Sequence, residues 1–309
     1  MLSRIAESLF WIGRYVERSD GTARILDVHL QLLLEDPWVE EDIAYRALLA
    51  VMGSSAPEDT PLTRKDLITM LGVNKDHHAS IAFSIDQARE NARRAREVVS
   101  TELWEVLNTT RSRFPRRVSP EKTHDFFGWV RERSALAVGT LESSTSRDEA
   151  WSFFTLGRSI ERADMTARLL STKALMEAGG PSWTTILRSC GAYEAYLRTY
   201  RGMPSAENAA EFLILHRLFP RSIMFSVIRA ENCLNDIDPR QERAGVSDQA
   251  LRELGLIRSE LEFQHPARML DDLPAYMERI QERMSEVSEA IRQRYFPVLS
   301  APTWVREDV

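Results

Sequence analysis

The sequence predicts an all-α fold, a multi-helix bundle built from two tandem, pseudo-symmetric helical repeats. Three observations predict it. Apolar residues recur at helical spacing along most of the chain, no strand-turn-strand pattern interrupts them, and one charged stretch occurs twice.

The first predicted helix covers residues 2–30, where Ile5, Leu9, Ile12, Val16, Ala23, Leu26 and Leu30 follow i, i+3, i+4 spacing until Asp36-Pro37 stops the chain. Short helices are expected over 40–52 and 63–71, and a long one over 80–107. The next covers 121–141, with Ser119 as N-cap and Pro120 at its first position. Another covers 148–176 and ends at Gly179-Gly180-Pro181. Further helices are predicted over 183–200, 206–215, 223–236, 247–262 and 267–295.

The duplication sets the domain plan. "GRYVERSDGTAR" begins at Gly13 and "GRSIERADMTAR" at Gly157, an offset of 144 residues that also aligns Phe10 with Phe154. A second match, "SIAFSIDQA" from Ser80 and "SIMFSVIRA" from Ser222, lies at nearly the same offset. Two matches at nearly one offset divide the chain into halves of about 1–145 and 146–309, with no Gly/Ser-rich linker between them. They are expected to pack as one body.

Composition narrows the classes of function. With 43% hydrophobic and 28% charged residues, the chain is that of a folded, soluble protein. A net charge of -6 argues against nucleic-acid and anionic-membrane partners, which need an excess of Lys and Arg. The one basic run, Arg93–Arg96, spreads around a helix and is expected to be solvated. Cys190 and Cys233 form neither a redox pair nor a zinc spacing. No apolar run reaches the ~20 residues of a membrane span, and charges at Arg4, Glu7 and Arg14 break the N-terminal apolar positions. A cytoplasmic protein is expected.

On a helical wheel Glu17, Asp20 and Arg24 fall within about 40° of Gly13, bordering the apolar arc, with Arg14 and Arg18 about a quarter-turn beyond. Glu161, Asp164 and Arg168 take the same places around Gly157, with Arg158 and Arg162 to the side. Both copies use Arg and never Lys, and both keep a glycine that costs a helix about 1 kcal/mol. Arg offers a planar fork for carboxylate or phosphate, and Gly permits close backbone approach. The stripes therefore face something other than water. Either they are buried ion pairs between helices, or they line a cleft. In the cleft Glu17 and Glu161 would be catalytic acid/bases, and Arg14, Arg18, Asp20, Arg24, Arg158, Arg162, Asp164 and Arg168 would bind an anionic ligand.

Other chemistry is weaker. Glu121/His124 and Glu262/His265 have a metal-ligand spacing but sit at helix ends, so no metal is expected. No phosphate loop, dinucleotide fingerprint or nucleophile elbow is present, and no cofactor is implied. Cys190 is expected to be buried and structural. His77-His78 reads as a polar loop, Asp271-Asp272 as exposed, and Trp11, Trp38, Trp104, Trp129, Trp151 and Trp183 as packing residues.

Four segments carry a resemblance to a known family. They are "MLSRIAESLFWIGRYVERSDGTARILD", "ARENARRAREVVSTELWEVLN" from Ala88, "FFTLGRSIERADMTARLL" from Phe153, and "FPRSIMFSVIRAE" from Phe219. Together they resemble the α-E domain family of bacterial all-helical proteins with an ER motif, which maps to Glu17-Arg18 and Glu161-Arg162. Ser19-Asp20-Gly21 departs from the family's usual Ala-Glu-Asn but keeps an acid at Asp20. The resemblance implies the company of ATP-grasp ligases and transglutaminase-like proteins, and hence a partner of that type. It implies an accessory or ligand-binding role in amide ligation or peptide modification. The alternative is an enzyme acting on a carboxylate or amide through the duplicated Glu-Arg cluster.

Overall fold

The computed structural model describes residues 1–35, 40–171, 182–239 and 247–297. Among the described residues the chain is helical throughout, with no strand. In chain order the helices are α1 (Ser3–Glu35), α2 (Glu41–Val51), α3 (Arg64–Leu67), α4 (Ile81–Arg94), α5 (Thr101–Ser112), α6 (Thr123–Ser144) and α7 (Glu149–Ser171). They continue as α8 (Trp183–Ser189), α9 (Tyr193–Tyr200), α10 (Ala206–Leu215), α11 (Ile223–Ile237), α12 (Gln249–Phe263), α13 (Pro266–Leu270) and α14 (Leu273–Tyr295). A π-helical turn, Ile68–Val73, extends α3, and a 3-10 turn, Pro120–Lys122, leads into α6. None of these helices is long and apolar enough to cross a membrane.

α1 and α7 lie against each other at the centre; α4 and α6 cover α1, while α11 and α14 cover α7. The apolar arcs supply the core, with Ile12, Leu26, Phe154 and Ile160 fully buried. Trp151 is buried, and Trp11, Trp104, Trp129 and Trp183 are half-buried against the core. The expected helix stops at Asp36-Pro37 and Gly179-Gly180-Pro181, and Trp38, lie outside the described residues.

Three helices expected to be continuous are broken. The 80–107 segment breaks before Ser100, whose hydroxyl accepts from the Leu103 N–H at 3.2 Å and restarts the chain as α5. The 183–200 segment stops at Cys190, and Gly191 takes a φ of 61°, where a side chain would be strained. In the 267–295 segment, Asp272 caps α14 by accepting from Ala275 N–H at 3.3 Å. Periodicity missed these breaks because both pieces of each segment keep an apolar face on the same core. Ser119 precedes the 3-10 turn without a side-chain cap, so α6 begins at Thr123.

At the centre each of two glycines lies against the backbone of the opposite helix. A Cβ on Gly13 would stand 2.1 Å from the Phe154 carbonyl oxygen, and one on Gly157 would stand 2.1 Å from the Phe10 carbonyl oxygen. Only a missing side chain on both helices lets the backbones touch. Gly13→Ala and Gly157→Ala should each lower stability by ~1–3 kcal/mol through overpacking, even though alanine favours an isolated helix by ~1 kcal/mol. Urea denaturation measures this. An unchanged midpoint in both variants would contradict the crossing.

Candidate functional site

The glycine contact sets where the charged side chains land. Side chains one turn from each glycine reach the opposite helix, so each carboxylate is gripped by arginines of the other copy. Arg14 Nε donates to one oxygen of Glu161 at 2.7 Å, and Arg18 donates to both, at 2.5 and 3.0 Å. In the other direction Arg158 Nε lies 3.3 Å and Arg162 Nε 2.8 Å from Glu17, the latter as an ion pair without hydrogen-bond alignment. Glu17 is 4% and Glu161 1% exposed, so both stripes are turned inward. Asp20 and Asp164 pair along their own helices, with Arg24 at 2.9 Å and Arg168 at 2.8 Å.

Of the ten residues expected at the site, six therefore exchange charges between α1 and α7, and the other four pair along their own helices. The arginine forks find carboxylates, as their geometry requires, and those carboxylates belong to the protein itself. One participant was not foreseen. Arg221, just before α11, reaches both Glu17, at 3.3 Å, and Asp20. Its only signal in the sequence is a difference between the matched segments, since Ala79 holds the corresponding place before α4.

Burial alone would raise the Glu161 carboxyl, but Arg18 and Arg14 override it and hold it at about 2. Glu17 is driven down in the same way, with burial opposed by Arg162, Arg221 and Arg158. Burial, together with neighbouring Arg162, lowers Arg158 to about 10 despite Glu17. The Cys190 thiol is pushed up to about 12 by burial, which suits a structural and unreactive residue. His29, buried in α1, falls to about 4.

The two carboxylates differ in their surroundings. Beside Glu17 a space of only about 20 Å³ remains, walled by Cys190, Ser189 and Arg221. Beside Glu161 a cavity of about 390 Å³ opens, bounded by Arg18, Thr22, Ser54, Asp76, His77, His78, Asp164 and Arg168. His77 Nε2 stands 2.8 Å from Ser54 Oγ on its wall. The His77-His78 pair, expected as an uninformative loop, thus borders an opening onto the buried charges. Asp164 and Arg168 also border a second cavity of about 280 Å³, floored by Phe10, Trp11, Met284 and Phe296.

The remaining candidates are engaged elsewhere. His124 Nδ1 lies 2.8 Å from Asp27, and Glu262 pairs with Arg217. Among the described residues no group of three His, Cys, Asp or Glu side chains is placed to hold a metal. Arg93 pairs with Glu90 at 2.6 Å on an exposed face, in keeping with a solvated basic run.

Comparison with known proteins adds the family. The family named Alpha-E, described as "a predicted alpha-helical domain with a conserved ER motif", matches residues 1–296. Among curated proteins, an uncharacterized protein of Mycobacterium bovis is 24% identical over 262 residues, covering 76% of this chain and 30% of the relative. An uncharacterized protein of Mycobacterium tuberculosis matches with the same identity and coverage. The chain thus spans under a third of the length of the curated relatives it matches. No solved structure matches it.

The charge cluster gives a pH signature. Both glutamates are lowered from an ordinary value of 4.5, Glu161 to about 2, so their contribution is complete above 4.5 and lost as pH falls toward 2. Folding stability should drop through that acid window. Glu161→Gln leaves Arg14 and Arg18 without their anion and should cost ~3–5 kcal/mol near neutral pH. The variant should also lose part of the acid dependence. Parallel pH profiles for variant and wild type, by urea denaturation, would count against the ion-pair account.

Proposed function

The chain belongs to the Alpha-E family, and from that premise we propose a helical binding module, an accessory component of an ATP-grasp-associated amide-ligation or peptide-modification system. In this reading the Glu-Arg motif is a clasp between α1 and α7, and the surfaces and cavities around it do the binding. The partner is an ATP-grasp or transglutaminase-like protein, and the setting is the cytoplasm. Residues 1–145 and 146–309 are the two copies of a duplicated helical unit packed as one body. The reciprocal glycine contacts and the exchange of arginines between α1 and α7 support that duplication.

One observation carries the proposal. Both oxygens of Glu161 are taken by Arg14 and Arg18, and its carboxyl is held at about 2. A general acid or base works best with a pKa near the operating pH, so a carboxylate held this tightly is a poor proton carrier. The same arginines are spent on internal carboxylates, so an outside anion would have to displace one. That weighs against the alternative, an enzyme using Glu17 or Glu161 on a carboxylate or amide. The longer relatives, in which the matched segment fills 30% of the chain, suit a module that works beside other domains.

The test is co-expression with an ATP-grasp ligase. The two should co-purify, the ligase should form its amide product severalfold faster with this chain present, and this chain alone should turn over no substrate. Amide formation or hydrolysis by the isolated chain, abolished in a folded Glu17→Gln or Glu161→Gln variant, would overturn the proposal in favour of the enzyme.

A further inference from the structure

The Glu17 and Glu161 clusters correspond residue by residue except at one position. At the first, the Arg221 guanidinium bridges two carboxylates, Glu17 and Asp20. At the second, Glu161 and Asp164 stand in the same relation, and among the described residues no third guanidinium reaches Glu161 beyond Arg14 and Arg18. The place that Arg221 fills on one side is open on the other.

Local geometry supports the correspondence. Ser80 and Ser222 cap α4 and α11 alike, accepting from Phe83 N–H at 2.9 Å and from Phe225 N–H at 3.1 Å. Each serine hydroxyl also donates back to the carbonyl six residues earlier, Asn74 or His216. The residues just before these caps, Ala79 and Arg221, are therefore equivalent. Glycines at positive φ, Gly53 at 67° and Gly191 at 61°, abut the guanidiniums of Arg168 and Arg24 in turn. With alanine at position 79, the space opens to about 390 Å³, against about 20 Å³ on the filled side. An opening of that size lies within the ~300–1,000 Å³ range of small-molecule sites.

We propose that this cavity binds a small guanidinium compound of arginine's size, whose cationic group bridges Glu161 and Asp164 as Arg221 bridges Glu17 and Asp20. Glu161, Asp164 and Asp76 border the cavity beside Arg18 and Arg168, and Arg14 also pairs with Glu161; an added guanidinium would repeat around Glu161 the three arginines that surround Glu17. A guanidinium supplies donors in a fixed fork, which suits two carboxylates better than a point charge does. The remaining polar wall, Ser54, Thr22 and the two histidines, is left for the polar end of the molecule.

Calorimetric titration of the isolated chain with L-arginine, agmatine, L-citrulline and inorganic phosphate tests the proposal. L-Arginine and agmatine should bind saturably, and L-citrulline, which is nearly isosteric but uncharged, should bind at least about tenfold more weakly. Ala79→Arg places the missing guanidinium on the protein and should abolish binding while leaving the fold intact. Should that variant not fold, Ala79→Met fills the same space without charge and should abolish binding likewise. No saturable binding of either guanidinium, equal binding of L-citrulline, undiminished binding in a folded position-79 variant, or binding of phosphate instead would each overturn it. The titration needs no ligase, so its result and that of the co-purification experiment stand apart.

Discussion

Everything in this molecule is referred to one contact, the crossing of α1 and α7 with backbone against backbone at Gly13 and Gly157. A side chain at either position would push the helices apart, and at a larger separation the arginines could no longer span to the opposite glutamate. The glycines carry no chemistry of their own. They set the distance at which the chemistry of their neighbours becomes possible, which is why the same short stretch holds both a glycine and the ion-pairing residues.

Buried ion pairs are an expensive way to hold two helices together. Desolvation of each charge cancels much of the attraction, and apolar residues of the same volume often stabilise as well or better. What the pairs add is exclusivity of arrangement. Glu161 is satisfied only when Arg14 and Arg18 reach it together, and Glu17 only when α7 supplies Arg158 and Arg162 and the segment before α11 supplies Arg221. A slip of one helical turn would leave buried charges unpaired at both ends of the crossing, so the register of α1 on α7 is strongly specified. In a bundle with extensive apolar faces, which alone tolerate several registers, that is a useful function for charge.

The two clusters are not equally closed. Arg221 completes one, and Cys190 and Ser189 pack over it; the other keeps its carboxylates beside a polar cavity bordered by His77 and His78. Two clusters built from the same residue types allow one to hold the fold while the other departs from it. The difference lies in the residues around the motif rather than in the motif, which is nearly the same in α1 and α7.

The helical class, the doubled charged stripe and its inward orientation were legible in the sequence, because each is a consequence of periodicity. Apolar spacing places Ile12 and Val16 on the core side of α1 with Glu17 beside them, and a preference for Arg over Lys marks a side chain that grips a carboxylate. The breaks before Ser100, at Gly191 and at Asp272 were not legible, since a cap competes locally with a helix whose apolar face continues unaltered past it. Nor could the sequence say which carboxylate each arginine would take. A helical wheel describes one helix, and the partners of Arg14, Arg18, Arg158 and Arg162 lie on another, at a distance set by two glycines far apart in the chain. The role of Arg221 and the opening left at Ala79 belong to the tertiary structure for the same reason, because packing alone decides whether a side chain fills a space or leaves it empty.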